Sequence, residues 1–482
     1  MDFQLPDAGW TPNLLMFGFV ICFGIALPLG MQVSVINAPA KHIQRWCDEV
    51  LSTRFNTTLT PDEMEILWAS VVTASVLMGM IGCFSGGSIS TKLGRKRLFL
   101  ISCLLLLIAV PCFLFCRMAS SIELLYMGRI TVGLALGLAL TSIPMYLAEV
   151  SPLKQRGAMG VLLPVGVTAG VVLGQIVTME QLLGSESLWH YGLGVGGFLG
   201  LIGLVFYCWM PESPEYLYSI KHQPEEALKV VRKLFGNNSI DETFEKRIRL
   251  GKQTLQKPDT FSLKKVFVDS KYRLPLALLF FMNAGCGLSG VNAIFSYSVS
   301  TLERIGISSS DATLISIGYG CINLAASSCG LFLMDRFNRR PMMLISCIGC
   351  GITLLINTLA IYFVDYANWF AMISVGAIVA FLLFYQAGIG QIPFFIGAEL
   401  FDIGPRSSAL SLGSFGSWSA NLIMVMLFPI VQQLWGAFAF LPSSIVCFAL
   451  AIFVYFYLPE TRASNISDIS QLISRGFKSK IR

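Results

Sequence analysis

The chain has 482 residues, 55% of them hydrophobic and only 13% charged, with a mean hydropathy of +0.69. Soluble proteins run near 25% charged, so this composition excludes a water-soluble globular protein. The formal charge of +6 follows the loops and reads as membrane orientation, not as a nucleic-acid partner.

The N-terminal run MDFQLPDAGWTPN holds two acids and no Lys or Arg, so it lacks the basic region of a cleaved signal peptide and the first span is expected to insert uncleaved. Runs long enough to cross about 30 Å of hydrocarbon predict spans at 13–37, 66–90, 98–118, 122–147, 158–178 and 189–210. Six more are predicted at 274–300, 310–334, 341–364, 368–398, 407–434 and 438–458. The expected fold is an all-α polytopic membrane protein with 12 transmembrane helices in two homologous six-helix halves, 1–210 and 274–458. A cytosolic helical insert, 211–273, separates them and a cytosolic tail, 459–482, follows.

An even number of spans puts both termini on one side, and the basic residues say which. Lys41, Arg45, Arg54, Arg117 and Arg304 face one side, Arg129 lies within a span, and the remaining 28 of 34 face the other. The termini and insert are therefore expected to be cytosolic. Of three glycosylation sequons, at Asn56, Asn237 and Asn465, only Asn56 is external and open to use. Within the insert, Pro224, Glu225 and Glu226 followed by Ala227, Leu228, Val231, Leu234 and Phe235 predict an amphipathic helix. A second helix is predicted over Asp241–Leu250. Both are expected to pack at the cytosolic mouth of the bundle.

Three signatures recur. Gly94-Arg95-Lys96-Arg97 and Asn338-Arg339-Arg340-Pro341 lie 244 apart and lead into Leu-Ile-Ser-Cys in both cases. Glu149 with Arg156 recurs as Glu399 with Arg406 at an offset of 250, and Pro211-Glu212-Ser213 as Pro459-Glu460-Thr461 at 248. Three matches in order at nearly constant spacing argue for an internal duplication.

These marks resemble the major facilitator superfamily, and within it the sugar porters, especially the facilitative glucose transporter branch. The resemblance is carried further by Val35-Ile36-Asn37-Ala38-Pro39, Gly128-Arg129 with Gly133 and Gly137, and Tyr146-Leu147-Ala148-Glu149-Val150-Ser151-Pro152. It continues through Leu288-Ser289-Gly290-Val291-Asn292-Ala293, Gly397-Ala398-Glu399-Leu400-Phe401 and Leu458-Pro459-Glu460-Thr461-Arg462. It implies a carrier, not an enzyme, working without a cofactor or metal in the bilayer, with the plasma membrane as expected residence. Thirteen cysteines mostly inside apolar runs indicate neither a disulfide framework nor a zinc site. His42, His190 and His222 are expected to be solvated.

Carboxylates and guanidiniums on facing helix ends can form bidentate pairs that hold two halves together on the cytosolic side. The resemblance assigns Arg95, Lys96, Glu149, Arg156, Glu212, Asp335, Arg339, Arg340, Glu399 and Arg406 to such a gate. Departures in two motifs are expected to loosen it: in the repeated loop motif Thr91 stands where the family has an acid or amide and Asn338 where it has glycine, and after span six Glu215 stands where it generally has arginine. Arg129, costly within a span, is expected to be paired or hydrated in a structural role.

Substrate recognition is expected between the halves, where Gly285, Gly287 and Gly290 in span seven and Gly388, Gly390 and Pro393 in span ten allow either hinging or close packing. The resemblance maps substrate contacts onto Pro164, Cys286, Gly287, Asn292, Asn323, Gln386, Phe394, Ser417, Trp418 and Asn421. Asn292, Asn323, Trp418 and Asn421 keep the family's residue types. Glutamines are replaced at Pro164, Cys286 and Gly287, a glutamate by Gln386, a tryptophan by Phe394 and an asparagine by Ser417. Water, Gln32 and Asn283 are the candidates to compensate. A hexose, a polyol, a urate-like planar solute or another small organic molecule all remain open as the substrate. Proton-coupled members carry an aspartate where Met31-Gln32-Val33 lies, and glutamine cannot titrate, so facilitated uniport by alternating access is expected over proton symport. A non-transporting nutrient sensor is the alternative from another functional class.

Overall fold

In hydrocarbon every backbone N–H and C=O must be satisfied within the chain, which makes helices the solution for apolar runs of this length. The computed structural model describes residues 5–6, 9–56, 59–152, 154–236, 248, 269–304, 306–367, 369–401 and 403–462. Among these, twelve helices are long and apolar enough to cross a membrane. Spans one to six are Pro12–Ser34, Pro61–Leu93, Arg95–Cys116, Ile122–Val150, Arg156–Val177 and Trp189–Tyr207. Spans seven to twelve are Lys271–Phe295, Asp311–Met334, Arg339–Tyr362, Trp369–Leu400, Pro405–Phe428 and Ile430–Tyr457. All twelve overlap the predicted runs, with some ends shifted by several residues.

Local chemistry sets the ends. Thr60 and Glu63 form a reciprocal capping box at the start of span two, with Pro61 in its first turn, and the helix stops at Gly94, whose φ of 99° suits glycine. Spans two and four approach closely because a Cβ at Gly133 or Gly137 would lie 2.1 Å from the carbonyl of Ser75 or Gly79. Two hydrophobic cores result, one mainly from spans one to six and the other mainly from spans seven to twelve. Cys347 and Cys350, spaced as CxxC, are both buried in the second.

The connection between spans one and two, expected as an external loop, contains a helix, Ala40–Phe55. Its buried residues Ile43, Trp46, Cys47 and Val50 recur at helical spacing, and Trp46 packs on Trp189 at 5.3 Å. The helix ends at Asn56, exposed and in the left-handed region at φ 52°. His190 is buried between Trp189 and Tyr191, not solvated, because the start of span six packs against the Ala40–Phe55 helix.

On the opposite side the insert helix forms over Pro224–Phe235 and buries Ala227, Leu228, Val231, Leu234 and Phe235 as predicted. It docks on the start of span one, where the Thr11 hydroxyl donates to the Leu234 carbonyl at 2.7 Å. The helix predicted over 241–250 lies outside the described residues except for Ile248, which is helical and buried. Asn237, Asn465 and the tail beyond 462 also lie outside them.

Candidate functional site

The three repeated signatures meet in space twice. In the first half Arg95 clasps Glu149, with Nη2 to Oε1 at 2.7 Å and Nε to Oε2 at 2.9 Å, both side chains at most 1% exposed. Glu212 closes the triad by accepting from the backbone N–H groups of Arg95 and Lys96 at 3.1 and 3.2 Å. In the second half Arg339 pairs with Glu399 at 3.4 Å, and Glu460 accepts from the backbone N–H groups of Arg339 and Arg340 at 2.9 and 3.2 Å. The Thr461 hydroxyl donates to Glu399 at 2.5 Å. Each loop is thus anchored by a carboxylate just beyond the last span of its half and by one from the fourth span of that half. Lys96 sets its ammonium over the Tyr207 ring, and Arg340 donates to the Tyr455 carbonyl.

The closest guanidinium partner of Glu149 (Arg95) and of Glu399 (Arg339) belongs to the same half as its carboxylate, contrary to the expectation that these pairs only bridge the halves, while Arg156 of span five also acts on Glu399 from the other half. The packing of spans three and four, and of nine and ten, brings these charges together within each half. The side chain of Asp335 lies outside the described residues.

At the end of the bundle that carries the insert, the contacts between the halves include two of the departures noted in the sequence, Glu215 and Thr91. Glu215, in the short helix Pro214–Ser219 that follows span six, pairs with Arg406 of span eleven at 3.1 Å, with side chains 6% and 1% exposed. Ser213 caps that helix by accepting from the Tyr216 N–H, which fixes where Glu215 points. Burial pushes the carboxyl of Glu215 above its ordinary value even though Arg406 pulls it down. Glu212 is raised for the same reason, against the backbone N–H groups that favour its charge. Thr91, in turn, is hydrogen-bonded through its hydroxyl to that of Ser407 at 2.9 Å, and the Ser411 hydroxyl accepts from the Gly87 N–H at 2.7 Å. Arg156 stands within electrostatic reach of Glu215, Glu399 and Glu149. The C-terminal end of span two and the N-terminal end of span eleven are therefore strapped together.

Toward the middle of the bundle, spans seven and ten break. Span seven is interrupted at Ser289–Gly290, where Gly290 has φ +96°, and span ten between Ala387 and Ile392. Gly290 thus has a hinge's geometry. Gly287 instead serves packing, since a Cβ there would meet the Ala420 Cβ at 2.7 Å and the Ser417 carbonyl at 2.8 Å. Its place among substrate contacts is corrected: it lies against the span-eleven backbone.

Gln386, in the last turn before the break in span ten, donates through Nε2 to Asn323 Oδ1 of span eight at 2.8 Å. Its neighbour Tyr385 brings a hydroxyl 3.1 Å from the Cys286 thiol of span seven. Phe394 packs against both hydrophobic cores, and Trp418 reaches from span eleven into the first core, beside Gly79 of span two. Asn292 lies half-buried just after the span-seven break, Pro164 is buried within span five, and Asn421 has an Oδ1 without a partner. The amide N–H groups of the proposed compensators are engaged elsewhere, although Gln32 Oε1 has no partner among the described residues. Asn283 donates to the carbonyls of Leu279 and Pro393 at 2.9 and 3.2 Å, and Gln32 to that of Leu193 at 3.0 Å. Arg129, 4% exposed, donates to the Ser75 hydroxyl at 2.7 Å and the Gln32 carbonyl at 3.3 Å, both neutral partners.

Sequence reasoning passed over Glu460, Thr461 and Tyr385 as site residues. The offset of 248 that links Glu212 to Glu460 was the available signal for the first. Tyr385 had none beyond its adjacency to Gln386, because the contact with Cys286 depends on where span ten breaks.

Twelve spans around two six-span cores, with broken helices and neutral side chains meeting between them, define a secondary carrier of the major facilitator architecture. The chain belongs to the family described as Sugar (and other) transporter, whose model matches residues 17–473. It is 31% identical to the chicken "Solute carrier family 2, facilitated glucose transporter member 1" over 94% of this chain and 91% of that one. To the human member 4 of the same series it is 32% identical, over 98% and 93%. Its fold is similar to a solved chain described as the major facilitator superfamily proton:xylose symporter XylE bound to 6-bromo-6-deoxy-D-glucose, with a TM-score of 0.81 at 20% identity, covering 95% of this chain and 99% of that chain. An inward open structure of XylE from E. coli aligns with a TM-score of 0.67 at 21% identity, over 95% and 99%. The protein is an integral, multi-pass membrane carrier and not an enzyme.

Proposed function

We propose that this protein moves a neutral, hydroxyl-bearing solute of the sugar class across the plasma membrane by facilitated uniport. Both termini and the 211–273 insert are cytosolic in this reading, and Asn56 carries an external glycan. The halves, 1–210 and 274–458, rock about the central seam, and the tail from 459 remains cytosolic. Relatives named as facilitated glucose transporters support the sugar class.

The observation that carries the uniport reading is the neutral setting of the buried cation in the first half. Arg129 is held by a serine hydroxyl and a backbone carbonyl, and the span-one residue beside it is Gln32. A carrier that couples to protons needs a group there that changes charge, and an amide does not. Support for the topology comes from the basic asymmetry of the loops and from the docking of Thr11 on the insert helix.

The central contacts are assigned to Asn292, Asn323, Gln386, Phe394, Trp418 and Asn421, with Cys286, Pro164 and Ser417 lining positions where amides are missing. Losing a partner for a buried solute hydroxyl costs about 1–3 kcal/mol, so glucose is expected to be handled less well than by members that keep those amides. The gate between inward- and outward-facing states is assigned to Arg406 with Arg156 and Glu215. The triads of Arg95, Lys96, Glu149 and Glu212, and of Arg339, Arg340 and Glu399, keep each half rigid as it rocks. Uptake of glucose, fructose, xylose, mannitol and urate by purified protein in liposomes tests the reading. Saturable uptake of one of the neutral hydroxylated solutes supports it, and uptake of none of them contradicts it.

A further inference from the structure

Span eight presents a polar stripe at helical spacing: Ser316, Tyr319, Asn323 and Ser327. Three members meet a polar partner on a facing span. Ser316 receives a hydrogen bond from Gln175 of span five at 3.5 Å, and Gly320 beside it is so close to span five that a Cβ would lie 2.6 Å from Gln175 Oε1. Asn323 receives one from Gln386, and the carbonyl of Ser327 receives one from Gln391 at 2.9 Å, both from span ten. The stripe thus runs along the seam, facing the first half at one end and the broken span ten at the other.

Tyr319 stands between those ends, one turn before Asn323. It is 1% exposed, and its hydroxyl has no hydrogen-bond partner among the described residues. Burying a hydroxyl without a partner is unfavourable, so such a group calls for a reason. Acceptors on the two side chains that meet the stripe are in the same condition: Gln386 Oε1 and Gln175 Oε1 are also buried without a hydrogen-bond partner among the described residues. A phenol brings both halves of what a sugar-like solute needs, a flat apolar ring for its C–H face and a hydroxyl that donates or accepts.

Resting on the sugar-class reading above, we propose that Tyr319 is a solute-contacting, specificity-determining residue of this carrier. Its hydroxyl supplies hydrogen bonding that Pro164, Cys286 and Ser417 no longer provide. Because the hydroxyl is fully covered in the conformation described here, solute binding and the shift of span eight that uncovers it are one event. A solute that pairs this group favours the rearranged state by that difference in contacts, which couples occupancy to movement.

Tyr319→Phe removes the hydroxyl and keeps the ring. Two measurements on the full-length protein read the consequence: the thermal unfolding midpoint of the solute-free protein, and uptake kinetics in liposomes with the solute panel above. The midpoint is expected to hold or rise, because a buried hydroxyl without a partner is removed. KM for the transported solute is expected to rise about five- to fifty-fold, with kcat within about two-fold, and the ranking of solutes is expected to change. Tyr385→Phe is the contrast, since it removes a hydroxyl that is bonded to Cys286, and it is expected to lower the midpoint. A lowered midpoint for Tyr319→Phe would mean the hydroxyl has a structural partner and would overturn the inference, as would an unchanged KM. Absence of uptake by the unaltered protein would overturn the sugar-carrier reading and this inference with it. Uptake with equal KM in the two proteins would overturn this inference alone.

Discussion

Arg406→Ala is the substitution that separates a gate from a topology signal. The Arg406 guanidinium is 1% exposed, pairs with Glu215 across the halves at 3.1 Å, and also donates to the Phe401 carbonyl at 3.2 Å. Removing one partner of a buried pair typically costs about 3–5 kcal/mol, because the other is left buried and uncompensated. That cost falls only on the state in which the cytosolic ends meet. Arg156 lies close enough to Glu215 to take over part of the compensation, so the lower figure applies. The hydrogen bonds of Thr91 with Ser407 and of Gly87 with Ser411 persist and do not enter the difference. About 3 kcal/mol is a factor of roughly 150, enough to turn a 99:1 preference for the cytosol-closed state into about 40:60. Distance distributions between spin labels at 92 and 338, exposed positions on opposite halves, read this population directly. Labels on unnatural amino acids avoid competition from the thirteen native cysteines. A longer-distance population should grow in Arg406→Ala and shrink again in the charge-swapped double variant Glu215→Arg with Arg406→Glu. Unchanged distributions in Arg406→Ala would refute the assignment of the gate to this pair.

The intra-half triad should behave differently: Arg95→Ala is expected to lower unfolding stability by about 3–5 kcal/mol while leaving the label distances in place, since Glu149 loses its partner in both states. Thermal unfolding and the same distance measurement check the two parts. Gly287→Gln, the change that would restore a family glutamine, is expected to destabilise by at least about 1–3 kcal/mol and not to improve glucose uptake. The added side chain meets the backbone of span eleven, and unfolding midpoint with glucose uptake in liposomes tests it.

All twelve spans were legible because hydropathy over about 20 residues is a one-dimensional signal that the bilayer enforces. The duplicated charges were legible as signatures, but their pairing was not. Glu149 and Arg95 are 54 residues apart and could equally have faced the other half; only the packing of spans two to four decides. The departures were misjudged for a related reason. Thr91 and Glu215 looked like lost family contacts, yet Ser407 and Arg406 of span eleven complement them, and complementarity between distant segments leaves no mark in local sequence. At the centre, residue types were readable and directions were not. Gly287 turned out to face a backbone, Gln32 and Asn283 to be engaged with carbonyls, and Tyr319 to stand on the polar stripe of span eight.

The central claim is downhill transport without proton coupling, and one measurement meets it directly. Purified protein in sealed liposomes is supplied with the solute it takes up, with and without an inward proton gradient, and internal solute is followed to its plateau. The account predicts that internal and external concentrations become equal in both conditions, because Gln32 and the neutral partners of Arg129 give span one nothing to titrate. Accumulation above the external concentration that requires the proton gradient would contradict it.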